Sequence, residues 1–262
     1  MKQYLAIYKT LLKLNFTQLV TYRENFLTSI FTSTLWGAFS FLLIILLTAK
    51  TPEIHGWKRE ELLILMGFYN IVIGGFFHMF FSRNFDHLAN TVHFGQLDSI
   101  LLKPVDSQFL VSTGTIAYWQ VTRIIMGLTV VLYLLHNEAI KVTVSNVLVF
   151  TGLSVFGLLL LYSIWFTVMT LTIWHSRLSN LVYLLYHFND LARFPPEMFR
   201  TLKSFVLPLL PYFLVLVVPT KVILHKLTVI DTVLLISASL LFLLLSRKFW
   251  KFALRYYTSA SS

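Results

Sequence analysis

Four long apolar runs, at 26–49, 62–81, 109–135 and 142–174, limit what this chain can become. Each is long enough to serve as a helix across about 30 Å of hydrocarbon, which takes roughly 20 mostly apolar residues. Only Arg123 interrupts the third run. The rest of the composition agrees: 57% of the 262 residues are hydrophobic and 12% charged, and the mean hydropathy is +0.75. Soluble domains are near half apolar and a quarter charged, so the chain reads as an integral membrane protein.

Beyond Arg177 the pattern weakens. Residues 178–189 are a short apolar stretch, 204–220 carries Pro208, Pro211 and Pro219, and 227–246 is a clean final run. Proline removes a backbone donor, and in lipid the freed carbonyl must be satisfied by protein or by a water-filled cavity. The pattern therefore predicts a fifth crossing over 179–193, short helices dipping into the outer leaflet over 194–226, and a sixth crossing over 227–247. The expected fold class is an all-α integral membrane protein with six transmembrane helices, at 26–49, 61–82, 109–135, 145–174, 179–193 and 227–247, in one domain over 1–262. An N-terminal amphipathic interfacial helix covers 1–22, and re-entrant outer helices precede the last span.

The interfacial helix follows from spacing. Leu5, Tyr8, Leu12, Phe16 and Leu19 fall within about 80° of helix circumference, opposite Lys2, Lys9 and Lys13. At the other end "SRKFWKFALRYY" mixes basic and aromatic residues, the composition of a cytoplasmic interfacial anchor. With both termini inside, the inner segments hold eleven Lys and Arg against four acids, and the outer ones nine against seven. That asymmetry supports a cytoplasmic placement of both termini, and moving 193–203 inside would strengthen it. The net charge of +10 flanks apolar runs, so the expected partner is the lipid bilayer with its anionic leaflet, with no nucleic acid.

No cysteine is present, which excludes disulfides, thiol catalysis and cysteine-ligated metals. The first uncharged run starts only at Phe26 and has no small-x-small cleavage site, so the N-terminus is expected to be retained. His93 and Asp98 stand five apart, the spacing by which some acyltransferases pair a base with its orienting carboxylate; a membrane enzyme is the alternative this raises. Against it stands the ordinary reading of a structural histidine and a capping aspartate. The other histidines form no metal-ligand pair, no metal site is expected, and no glycine precedes a lysine as a phosphate-binding loop would require. An ion-coupled carrier, a further alternative, would normally place carboxylates within its spans, whereas here the acids gather at span ends. Arg123, about 14 residues and roughly 21 Å into its run, is the clear intramembrane charge, a candidate either for the translocation path or for holding a carbonyl at a subunit contact. Ser29, Ser33 and Gly37, and the Gly74-Gly75 pair, are small enough for close helix approach, expected within one subunit.

Three segments together carry a resemblance: "GQLDSILLKPVDSQF" (95–109), "RFPPEMFRTLKSFVLPLLPYFLVLVVPTKVIL" (193–224) and the end "FWKFALRYYTSASS". In this order the chain resembles the ABC-2 type permease of an ABC transporter, in the branch of short six-span exporter subunits. The resemblance implies a cytosol-facing connecting helix at 1–22 and a coupling loop at 86–104 that docks on a separate ATPase. Its residues would be Asp86, Gly95, Gln96, Leu97, Asp98, Leu101, Leu102, Lys103 and Pro104. It also implies an outer re-entrant gate with Pro195, Pro196, Pro208, Pro211 and Pro219. Two ABC ATPase subunits and a second permease subunit, paralogous or identical, would complete the complex in a prokaryotic plasma membrane. No cofactor would be bound by this chain, since ATP and Mg belong to the ATPase; no catalytic residue is expected.

Overall fold

The computed structural model describes residues 2–51, 53–138, 140–175 and 180–258, with backbone alone at 2 and 200–209. Arg177, Ser179 and the Pro208 side chain therefore lie outside the described residues. The first helices are α1 (Lys2–Thr21) and α2 (Arg23–Leu47). Next comes a small hairpin, β1 (Glu53–Ile54) and β2 (Trp57–Lys58), the one departure from an all-helical chain among the described residues. Its two loop residues, His55 and Gly56, have φ of 50° and 85°, the left-handed pair that a two-residue hairpin turn demands.

A single helix of 35 residues follows, Arg59–His93. It begins as α3 (Arg59–Tyr69), widens to π-helical hydrogen bonding over Asn70–Ser82, and ends as α4 (Arg83–His93). The wide segment contains Gly74 and Gly75, and α7 (Val121–Asn137) presses against it there. A Cβ on Gly74 would collide with the Arg123 guanidinium, and one on Gly75 with Ile124. A Cβ on Gly37 of α2 would strike Met126, so these small residues serve packing inside one chain.

Then come α5 (Leu97–Leu101), α6 (Ser107–Thr113), a 3-10 turn Tyr118–Gln120 leading into α7, α8 (Val144–Thr170) and α9 (Leu181–Leu191). A 3-10 stretch, Pro196–Leu202, precedes α10 (Lys203–Ile223) and α11 (Val229–Ala253). Side chains mark several starts: Asp106, Thr143 and Thr228 accept from the N–H groups of Phe109, Asn146 and Asp231 at 3.1, 3.3 and 3.1 Å. The core lies where α8 meets α10 and α11, around Trp165, Phe166, Leu216 and Trp250, all fully covered.

Among the described residues five helices are long and apolar enough to cross a membrane: Arg23–Leu47, Arg59–His93, Tyr118–Asn137, Val144–Ile173 and Val229–Tyr256. Three expectations need correction. The run at 109–135 is not one helix: α6 ends at Thr113 and the next helix starts at Tyr118. Over 179–193 the described helix α9 has 11 residues, roughly 16 Å, about half a bilayer. Finally, 194–226 does not hold only short helices, since α10 runs for 21 residues through Pro208, Pro211 and Pro219.

The break at 114–117 survives because its backbone groups are paired one by one. Asn15 of α1 donates to the Gly114 carbonyl and accepts from the Ile116 N–H, both at 3.1 Å. Asn84 of α4 accepts from the Thr115 N–H at 2.7 Å and donates to the Thr115 carbonyl at 2.9 Å. The Ala117 N–H reaches the Met79 carbonyl of the π-helical segment at 2.9 Å. Irregular backbone at membrane depth requires such protein partners.

Contacts fix which ends lie together. Lys226 bonds both carboxylate oxygens of Glu61, at 2.6 and 2.7 Å, and His225 lies 3.0 Å from the Lys141 carbonyl. The hairpin, the α7–α8 turn and the α10–α11 turn thus share one end. At the opposite end stand α5, the Asp106–Arg247 pair, and Tyr4 of α1, whose hydroxyl accepts from the Asp106 N–H at 3.4 Å.

Candidate functional site

Two places gather the polar residues of this greasy chain. The first is a cavity of about 470 Å³ between α2, the long helix, α7 and α9, bordered by Trp36, Tyr69, His78, Arg123, Asp190 and Arg193. Asn70 organises its floor. It accepts from Arg123 Nε at 3.0 Å, and donates to Ser40 Oγ at 2.8 Å and to the Met66 carbonyl at 2.9 Å. Tyr69, the next residue, links a second cluster: its hydroxyl donates to Asp190 and accepts from Arg193, both at 3.2 Å, and Arg193 also pairs with Asp190. Both guanidinium groups lie over the Tyr69 ring, 5.6 Å for Arg123 and 4.7 Å for Arg193. Below them Asn189 accepts from Trp165 Nε1 at 3.1 Å and stands 3.5 Å from His78.

Arg123 does not sit far along an unbroken helix, as its place in the run suggested. It lies in the first turn of α7, and its depth comes from its partner: Asn70 follows the 11 residues of α3, roughly 16 Å from the end at Arg59. The residue is buried, 5% exposed.

The second place is the opposite end of the long helix. Residues 86–93 of the expected coupling loop are its last turns, so only the part after His93 is a loop. Gly95 turns the chain with φ of 67°. Leu97 is fully buried and anchors α5, while Leu101, Leu102, Lys103 and Pro104 are exposed, Leu102 at 86%. Gln96 is exposed as well. Phe94, 67% exposed and within the expected loop 86–104, joins this apolar knuckle. Asp98 faces the C-terminal segment: burial and then the Asp98 carboxylate raise the Tyr257 phenol. Asp86 points elsewhere, accepting from the Tyr186 hydroxyl of α9 at 3.1 Å.

The knuckle is strapped to α11. Arg247 donates to Asp106, through Nη1 at 2.9 Å and through Nη2, and to Gln108 at 2.9 Å; Trp250 Nε1 donates to Ser107 at 3.0 Å. Burial alone would raise the Asp106 carboxyl, but the Arg247 hydrogen bond, the Phe109 N–H and the Arg247 charge outweigh it and hold it below its usual value. A depressed folded pKa stabilises above the unfolded value of about 3.9 and is lost as pH falls through the folded one. The melting temperature of the wild type should therefore exceed that of Asp106→Asn at about pH 6, and the gap should narrow as the pH falls below about 3.9. A gap that stays constant with pH would refute the pair's contribution.

Of the remaining expected residues, Pro195 and Pro219 are buried, Pro196 and Pro211 half-buried. Pro195 precedes the 3-10 stretch, whereas Pro211 and Pro219 lie within α10. His93 ends α4 and Asp98 lies in α5, and neither borders the Arg123 cavity. Among the described residues no three His, Cys, Asp or Glu side chains converge as a metal site.

The sequence model of the family described as ABC-2 family transporter protein matches residues 34–261, a range that holds Asn70, Arg123, Arg193 and the α5 segment. The chain belongs to that family. It is a multi-pass permease component of an ABC transporter, a family whose membrane subunit is not itself an enzyme. No curated protein and no solved structure shows a significant match. Within an ABC-2 permease the two polar places acquire distinct meanings: a chamber inside the bundle, and an exposed end available to another chain. Sequence reasoning reached Arg123 and the α5 segment. It missed Asn70, Asn84 and Asn15, of which only Asn70 stands within an apolar run.

Proposed function

We propose that this permease is the membrane subunit of an ATP-driven exporter, docked through its α5 knuckle on a separate ATPase that holds ATP and Mg. Two ATPases and two permeases, identical or paralogous, form the working unit in a prokaryotic plasma membrane, with both termini cytoplasmic. The observation that carries this reading is the exposed apolar knuckle Phe94, Leu101 and Leu102, set on the buried anchor Leu97 at the foot of the long helix. Apolar side chains held out on a braced turn are suited to a groove in a partner. Closure of the ATPases on ATP displaces α5, and the bundle shifts between inward-open and outward-open packings. Cargo crosses by gating; this chain performs no covalent chemistry.

Leu102→Asp, and separately Asp98→Lys, should cut recovery of the ATPase with tagged permease in mild detergent at least about tenfold, while gel filtration of the permease is unchanged. The absence of cysteine from this sequence gives a second readout, since Leu102→Cys supplies its one thiol for cross-linking to the ATPase. Full ATPase recovery in both variants would defeat the docking assignment.

A further inference from the structure

The cavity beside Arg123 holds more positive charge than its wall compensates. Arg123 and Arg193 border it with one carboxylate, Asp190. Asp190 is engaged by Arg193 and by the Tyr69 hydroxyl. Arg123 gives its Nε to the neutral Asn70, and its Nη2 is buried with no hydrogen-bond partner. Arg193 Nε is unpartnered in the same way. A guanidinium cannot shed its proton in a protein, so this charge persists wherever it is buried. Leaving donors of a charged group unpaired away from water is strongly unfavourable, and an ionisable residue at membrane depth marks a site for a ligand or an ion. The first turn of α7 adds the positive end of its helix dipole at Arg123.

The remaining wall is amphipathic. Trp36 on α2 and Tyr183 on α9 border the cavity and are exposed, 62% and 65%, beside Thr28 and Thr32. The opening is therefore on the outer surface of the bundle, flanked by aromatic rings, with the charge at its inner end. At about 470 Å³ the space suits a single-chain amphiphile or a compact aromatic molecule. We infer that this cavity recognises an amphiphile carrying one anionic group, a carboxylate or a phosphate, with the charge against Arg123 and the apolar body along Trp36 and Tyr183. This deepens the permease reading by naming the class of cargo.

The test uses purified permease without any ATPase. Quenching of tryptophan emission, to which Trp36 and Trp119 of the cavity contribute, is measured with dibromostearyl phosphate and with the uncharged dibromostearyl alcohol. The phosphate ester should bind about tenfold more tightly, a charge-assisted hydrogen bond being the difference. Arg123→Gln should erase that preference while alcohol binding is retained, and Arg123→Lys should keep part of it. Excess inorganic phosphate should not displace the ester. Equal binding of ester and alcohol by the wild type, or an undiminished preference in Arg123→Gln, overturns the inference. Displacement by inorganic phosphate overturns the amphiphile and makes the ligand a free anion. If Arg123→Gln fails to fold, Thr32→Phe fills the cavity from an exposed position and must weaken ester binding; unaltered binding again overturns the inference. Because no ATPase takes part, failure here leaves the transporter reading standing, and failure of ATPase docking leaves this result untouched.

Discussion

Asn84→Leu is expected to destabilise the protein by up to roughly 2–6 kcal/mol, because two part-buried backbone groups of Thr115 lose their partners at no more than roughly 1–3 kcal/mol each. Asn84 is 3% exposed and also donates to the Phe80 carbonyl at 2.8 Å and accepts from Thr115 Oγ1 at 3.0 Å. Leucine fills a comparable volume, so the loss isolates hydrogen bonding from packing. With it, the irregular link 114–117 should no longer hold its place between α6 and α7. Thermal unfolding in detergent, followed by gel filtration, gives the check. A melting temperature unchanged in Asn84→Leu would show that the break is held by something else.

Gly157→Leu should cost about 2–3 kcal/mol, in the range of an overpacked core. A Cβ at this position of α8 would lie 2.5 Å from the Val215 carbonyl oxygen of α10. That contact is with backbone, so no rotamer change relieves it. The carbonyl is special: Val215 is four residues before Pro219, which has no N–H to offer it. The bare Cα of Gly157 lets α8 pass close to this oxygen. Gly152, one and a half turns earlier on α8, has nothing within 4 Å of its would-be Cβ. Gly152→Ala should therefore be neutral or slightly stabilising in the same melting experiment. Equal losses at the two positions would remove the argument.

These two sites also show what the sequence could and could not reveal. The apolar runs at 26–49 and 145–174 overlap Arg23–Leu47 and Val144–Ile173 closely, because a span in lipid is set by local hydropathy and length alone. The turn at Gly95 was legible for a similar reason, since left-handed backbone selects glycine. The break after Thr113 was not, because residues 109–122 contain neither proline nor charge. Its stability resides in Asn15 and Asn84, about 100 and 31 positions away, and no local pattern announces a side chain that far off. The prolines of α10 misled in the opposite sense. Each removes a donor, yet α10 continues through all three as one helix. At the candidate site Arg123 stood out by its charge, whereas Asn70, its holder, was hidden among aliphatic neighbours.

The long helix carries a mechanical consequence. Thirty-five residues amount to a rod of roughly 50 Å, well beyond the 30 Å of hydrocarbon it crosses. Glu61 near its first turn is clamped by Lys226, and its last turn carries the α5 knuckle. A rod fixed at one end turns small angles into large strokes. A tilt of about 5° about the clamped end sweeps the far end through roughly 4 Å, most of a helical turn. Asn70 and Tyr69 lie a third of the way along the same helix, so under such a tilt Arg123 and its chamber would move by a smaller part of the stroke.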